Sequence, residues 1–292
     1  LVTVYAAWRY IEQRADELVK DDLDGQKRAI AGRFAGWAMG WGNGMRVEAS
    51  YITAHDSLTP MQLADRWRTL MESYWPIISI QLADESGNEV ALLREDSTLL
   101  LRESFLGSVD GPSLLTRLDV PLDTLVPRTR LDTSENDPRT QEWFGQALRN
   151  RHVDPVWSGS PVTGLLTIAQ LIRPKSDSAS FRVLAFTIDP LRMGTGLLGR
   201  SGNTTMRGSG VFPSGSMLST GAIGHDTVAA RAMSAWAAAP SETTFELGVG
   251  SRYRCVIRPH TVNGCTVHIG AAIDLAVLDG LMIPARHITM AG

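Results

Sequence analysis

Between Val4 and Trp41 apolar residues recur at steps of four and three: Val4, Trp8, Ile11, Ala15 and Leu18, then Leu23, Ile30, Phe34, Trp37 and Trp41 after a phase shift near Asp21 to Gly25. Such spacing keeps one stripe on one side of an α-helix, and the shift reads as a stutter in its seam. A stripe this long must be covered along its length, either by domain faces or by a partner helix. The second half, where Phe34, Trp37 and Trp41 crowd together, reads as a core helix. The first half, flanked by the charged run from Arg9 to Arg28, reads as a stalk that pairs with a second copy through Val4 to Leu18.

A chain of 292 residues is expected to form one large or two medium domains. Its 43% hydrophobic and 20% charged content describes a folded globular protein. A net charge of −3 supplies no basic footprint for nucleic acid. The chain begins with Leu rather than Met, which suggests a piece of something longer. No window approaches the roughly 18 apolar residues that span a bilayer. The apolar start LVTVYAAW reads either as the exit of a removed membrane helix or as the start of a buried one. Two cysteines, Cys255 and Cys265, exclude a disulfide scaffold and a four-cysteine metal site. A hairpin turning near His260 would let them bridge in an oxidising compartment; the two-residue turn favoured at Asn263-Gly264 would separate them.

Further along, Thr59, Pro60 and Gln62 form a helix start, with a capping Thr, a first-turn Pro and Gln three residues on. Leu63, Trp67, Leu70 and Tyr74 then mark one buried face. Ile77 to Leu82, the turn Asp84 to Gly87 and Val90 to Leu93 read as a hairpin, and the pattern recurs at Gly210–Phe212, Pro213–Gly215 and Met217–Ser219. Thr98 to Phe105 is expected to be a strand, and Leu106 to Asp137 irregular with a short helix near Ser113 to Leu118. Beyond a Gly-rich crossing at Gly194 to Gly202, a helix is expected at Asp226 to Ala238. Strands follow at Thr243–Val249, Tyr253–Pro259 and Thr266–Ile273, with a helix from Leu275 to Pro284.

The stretch from Asp137 to Asp189 organises the site. A Pro-fixed turn leads into an aromatic-bearing helix, Glu142 to Leu148, then a loop with Asp154, Pro155 and Trp157. Two mostly apolar runs, Gly164–Leu171 and Phe181–Ile188, flank the polar turn PKSDSAS and read as a buried hairpin. The order places Trp143, Phe144, Trp157 and Asp189 around the mouth of one sheet, the make-up of a small-molecule pocket.

Asp137-Pro138-Arg139, then Trp143-Phe144, then Asp154-Pro155, then TGLLTIA from Thr163 and VLAFTIDPL from Val183 resemble the membrane-distal module of double Cache domains, the extracytoplasmic sensors of bacterial receptors. The resemblance implies an α/β (α+β) fold of two PAS-like modules with antiparallel sheets strung on one long N-terminal helix. It implies a stalk helix and connection over 1–58, a distal ligand-binding module over 59–198, a proximal module over 199–280, and a segment over 281–292 leading to a membrane helix. Ligand contacts carry over to Trp143 and Asp189, and by position alone to Gln141, Phe144, Trp157 and Ser158. The amine-recognising subset has an Arg where this chain has Gln141, a Tyr at Phe144 and a Tyr at Val156. Without the guanidinium that clamps a carboxylate bidentately, an α-amino-acid ligand is disfavoured.

Other motifs fall to their context. GTGLLG at Gly194 to Gly199 matches a dinucleotide fingerprint, but its strand ends about five residues early and no helix follows. The six histidines lack metal-ligand spacing, so no metal or cofactor is expected; His260 and His268, which might meet across the last hairpin, read as strand surface residues. No nucleophile elbow or reactive Cys–His pair appears, so the chain is not read as an enzyme. Asp189 either caps the next helical turn or points at a ligand cation, and Trp143 either stacks on a ligand or plugs the core. Two functions stay open: a periplasmic or extracellular small-molecule sensor of a transmembrane signalling protein, and a ligand-free dimerisation module.

Overall fold

The computed structural model describes residues 2–55, 57–105, 113–118, 129–132, 137–150, 154–160, 162–173, 180–193, 206–211, 217–219, 244–249 and 251–275. Helix α1, Val2–Ala54, runs for 53 residues without a break. Its buried seam is Val19, Leu23, Ile30, Phe34, Ala38, Trp41, Met45, Ala49 and Ile52. Each fully buried large side chain contributes roughly 1.5–3 kcal/mol. That outweighs the roughly 0.5–1 kcal/mol per residue set against the helix by Gly25, Gly32, Gly36, Gly40, Gly42 and Gly44. The side chains of Val4, Trp8, Ile11 and Ala15 lie outside the described residues.

Helix α2, Pro60–Ser73, starts on a closed capping box: Thr59 N–H donates to Gln62 Oε1 at 2.9 Å and Gln62 N–H to Thr59 Oγ1 at 3.3 Å. Its buried face is Leu63, Ala64, Trp67 and Met71; Tyr74, expected on that face, is 37% exposed as the helix C-cap. Glu48 of α1 is buried and accepts from Arg66 Nε at 2.7 Å and Trp67 Nε1 at 3.0 Å. Arg66 also lies 3.6 Å from the centre of the Tyr51 ring. One carboxylate thus locks the two helices together.

Eight strands form the larger sheet: β1 Ile77–Asp84, β2 Glu89–Glu95, β3 Thr98–Ser104, β4 Ser113–Arg117, β5 Thr129–Asp132, β6 Val156–Gly159, β7 Leu166–Ile172 and β8 Arg182–Ile188. Their order is β5-β4-β3-β2-β1-β8-β7-β6, antiparallel throughout. The β1–β2 turn is held by Asp84, whose Oδ1 accepts from Ser86 and Asn88 N–H groups at 2.9 Å, with Gly87 at φ 88°. Two expectations are corrected. Ser113 to Leu118 is strand β4 rather than a helix, because the Leu115 side chain is buried on the sheet and Ser113 meets Ser104 across the ladder at 2.8 Å. The loop carrying Trp157 is strand β6, since β-prone Val156 and Trp157 find an open edge on β7.

A second, five-stranded sheet comprises β9 Met206–Val211, β10 Met217–Ser219, β11 Thr244–Val249, β12 Ser251–Val262 and β13 Cys265–Asp274, in the order β10-β9-β13-β12-β11. The strands β2-β1-β8-β7-β6 have the same arrangement: a hairpin opens each sheet and the last strand returns to its first. This is a mixed α+β fold of two antiparallel PAS-like sheets on one helix. α1 packs Val19 and Leu23 on Val256, Ala271 and Ile273 of the second sheet, and its later turns on the first. Among the described residues no helix is long and apolar enough to cross a membrane. The crossing at Gly194–Gly202 and the helices expected at Asp226–Ala238 and beyond Leu275 lie outside the described residues.

The last hairpin turns on Asn263 and Gly264, both at positive φ. Cys255 is therefore opposite Ala272 and Cys265 opposite Val262, and both thiols are free and buried. His260 and His268 point to opposite faces, since His260 pairs with Val267 and His268 with Pro259. Burial pushes both cysteine pKa values up to about 12 from 9.0. The folded chain keeps both protons and the unfolded chain releases them first, so their linkage erodes stability as pH rises from about 9 toward 12. Neither thiol should react with a thiol-specific chromogenic reagent in the native state, and both should react on unfolding. Replacing Glu48 with Gln, which keeps the volume and removes the charge facing Arg66, should cost about 3 kcal/mol in urea denaturation.

Candidate functional site

Strands β7 and β8 are buried on both faces, which is why they read as near-continuous apolar runs. Leu166, Ile168, Leu184, Phe186 and Ile188 face α1 and α2. Ala83, Ala169, Val183 and Ala185 face the other way. These small side chains let helix α3, Glu142–Arg149, settle onto the sheet with Trp143, Phe144 and Ala147 buried beneath it. A single 3₁₀ turn at Pro138–Thr140 aims α3, with Asp137 capping it through Arg139 N–H at 3.0 Å. Arg139 folds back on Asp137 at 2.8 Å, and the hydrogen bond from its guanidinium holds that carboxyl below the usual range.

One end of this face stays open. A cavity of about 270 Å³ is walled by Gln141, Glu142 and Trp143 on one side and by Ser160, Thr163 and Leu165 of the β6–β7 loop on the other. Its floor is a row of hydroxyls: Ser158 pairs with Thr167, and Thr167 with Thr187, at 3.5 Å between the two threonine oxygens. The row continues to Ser79 on β1, whose hydroxyl accepts from Gln81 Nε2 at 3.1 Å. One residue pair further, the floor turns apolar, with Val156, Ala169 and Ala185 in line with Gln81. Glu142 sits at the exposed rim and accepts from Gln146 Nε2 at 2.7 Å.

The residues named from sequence part company here. Gln141, Trp143 and Ser158 line the cavity. Phe144 is buried against Trp143, with ring centres 5.7 Å apart, and against Phe181. Trp157 lies on the opposite face of β6 from Ser158 and meets Trp41 of α1, centres 6.0 Å apart. Asp189 follows β8 and serves the backbone: its N–H donates to Pro76 O at 2.9 Å, its Oδ1 accepts from Leu191 N–H at 2.9 Å, and Arg192 is 3.4 Å from Oδ2. Gln81, Glu142, Ser160, Thr163, Thr167 and Thr187 carry no local mark of a site in the sequence. Thr167 comes nearest to one: it breaks an apolar run, and a hydroxyl kept inside a buried strand is the available signal. Among the described residues no three His, Cys, Asp or Glu side chains group to hold a metal.

Tandem PAS-like sheets on one helical spine, the larger extended by three strands and hollowed beneath α3, make up the double Cache fold. Solved structures share it at low identity. The sensory domain of the Campylobacter jejuni chemoreceptor Tlp3 matches with a TM-score of 0.54 and 11% identity, over 90% of this chain and 96% of that one. The ligand-binding domain of the Pseudomonas fluorescens chemoreceptor CtaA, in complex with L-isoleucine, matches with 0.54 and 15%, over 94% and 98%. The extracellular domain described as that of a histidine kinase, vpHK1S-Z8, matches with 0.51 and 12%, over 92% and 98%. No family model and no curated protein matches the sequence.

Because the Asp189 carboxylate holds the 190–193 turn, Asp189→Ala should lower stability by about 1 kcal/mol, read from chemical denaturation. The tryptophan fluorescence of the folded variant should stay that of the parent.

Proposed function

We propose that this chain is the extracytoplasmic sensing region of a bacterial transmembrane signalling protein, a chemoreceptor, histidine kinase or nucleotide cyclase, and that it binds a small molecule in the α3-covered cavity of a distal module spanning 59–198. The observation that carries the reading is the cavity itself, a hollow with an indole wall and a hydroxyl floor in an otherwise packed sheet face. Burying that much hydrogen-bonding capacity against an open space suits a ligand and serves no core. The three solved neighbours named above, a sensory, a ligand-binding and an extracellular domain, point the same way. On this reading the site lies in the periplasm or outside the cell, and the membrane helices and output region flank the chain.

Strand β6 supplies the route outward. Ser158 touches the cavity while its neighbour Trp157 presses on Trp41, which packs edge-on against Trp37 with centres 5.6 Å apart. Trp157 Nε1 and Gln170 Oε1 are both buried without a hydrogen-bond partner among the described residues. Gln170 lies diagonally across from Trp157 on the same face of β7, within reach of a long side chain. A ligand that draws β6 toward Trp143 shifts Trp157 against the spine, and only a difference in affinity between the two positions can drive that shift. α1 then carries it through Val19 and Leu23 to the second sheet, which belongs to a proximal module spanning 199–280.

Tyr5, Tyr10 and Leu18, exposed at 62%, 62% and 66%, suit pairing of α1 with a second copy. Sedimentation should show a concentration-dependent dimer that Leu18→Glu weakens. A bound ligand should raise the thermal midpoint of the isolated chain, and Trp143→Ala should abolish the rise. Quenching or a spectral shift of indole fluorescence on binding should be reduced in Trp157→Phe to the share carried by Trp143, while the midpoint rise remains. Ligand stabilisation that survives Trp143→Ala would sink the assignment of the cavity.

A further inference from the structure

Resting on the sensor reading of this cavity, we infer that its ligand is a small uncharged polyhydroxy compound of the sugar or polyol class. The lining presents hydroxyls on five residues of floor and rim (Ser158, Ser160, Thr163, Thr167 and Thr187) and two carboxamides, Gln81 and Gln141. Each hydroxyl is at once a donor and a double acceptor, and each carboxamide carries both functions at separate atoms. A ligand that mixes donors and acceptors at short intervals matches such a surface, as successive ring or chain hydroxyls do.

The two carboxamides are placed for this. Gln141, which lines the cavity, caps the turn into α3 through its backbone, and its side chain makes no capping bond. Gln81 spends its amide nitrogen on Ser79, which turns its oxygen into an acceptor of fixed direction. The indole of Trp143 forms the apolar wall that the C–H face of a sugar ring stacks on. At about 270 Å³ the cavity falls just under the range of drug-sized pockets, roughly 300–1,000 Å³, which suits a single compact ring or short chain.

Charge argues in the same direction. The one ionised group on the described lining is Glu142, which stands at the exposed rim and is engaged by Gln146. A carboxylate brought onto the floor would meet hydroxyls and carboxamides beside a rim anion, and burying a charge against neutral partners costs more than burying a hydroxyl against them. A site built to hydrogen-bond hydroxyls also rejects analogues that lack them, because its own groups are then left unpaired.

The test is calorimetry and thermal denaturation of the whole chain with D-glucose, D-ribose, glycerol and myo-inositol in one arm. L-valine, L-isoleucine, L-serine, putrescine and acetate make up the other. At least one uncharged compound should bind, and Thr167→Val and Gln141→Ala should each weaken it about tenfold. Gln141 is exposed, so that variant keeps the test alive if Thr167→Val folds poorly. Binding only by a zwitterionic or charged compound, abolished by Trp143→Ala, would overturn the class and leave the sensor reading standing. An uncharged ligand whose affinity ignores Thr167→Val, Gln141→Ala and Trp143→Ala would overturn both. No binding by any uncharged member would overturn the class.

Discussion

Among the described residues, the apolar seam of α1 is what both sheets pack against. One helix buries Val19 and Leu23 on the smaller sheet and Ile30 through Ile52 on the core of the larger one. The tip of the last hairpin, Cys265, Val267 and Ile269, belongs to the same core as Phe34 and Trp41. The two sheets are therefore joined by a rod and also touch a common packed interior, where close packing leaves little room for independent movement. The buried Glu48–Arg66 pair fixes how α2 lies on that rod, because a desolvated carboxylate tolerates only a geometry that satisfies it.

The antiparallel return of the last strand onto the first gives each sheet its shape. β8 pairs with β1 along nearly its whole length, so residues distant in sequence, Ser79 and Thr187, become neighbours in one row. Period-two alternation then divides the work. Large aliphatic and aromatic side chains on β7 and β8 meet α1, while alanines and threonines on the reverse face leave space that α3 fills at one end and leaves open at the other.

Much of this is legible in the residues. The helical seam, the Thr59 capping box, both opening hairpins and the paired strands around the PKSDSAS turn all carry local signals, periodicity or cap and turn chemistry, that do not depend on distant partners. The Asn263-Gly264 turn sets the register that separates the cysteines. The site is legible only in outline. Helix α3 and Trp143 stand out as an aromatic helix beside a hairpin, but Gln81 and Thr187 enter the cavity through pairings between strands about a hundred residues apart, which no local pattern encodes. Ser113 to Leu118 misleads for a related reason: a short run of leucines among polar residues is ambiguous until β3 is there to receive it.

The fates of Trp157 and Asp189 show how alternation overrides adjacency. Both stand close to residues of the cavity in sequence, Trp157 beside Ser158 and Asp189 two positions past Thr187. Asp189 leaves the strand at Pro190 and turns its carboxylate to the new backbone N–H groups there, a nearer partner than any group across the cavity. One step along β6 reverses the side chain, so Trp157 joins the aromatic contacts of α1 while Ser158 remains on the floor. This four-residue strand thereby holds the hollow with one face and the spine with the other. That makes it a direct link between them, since the strand that floors the hollow also carries the indole that meets Trp41.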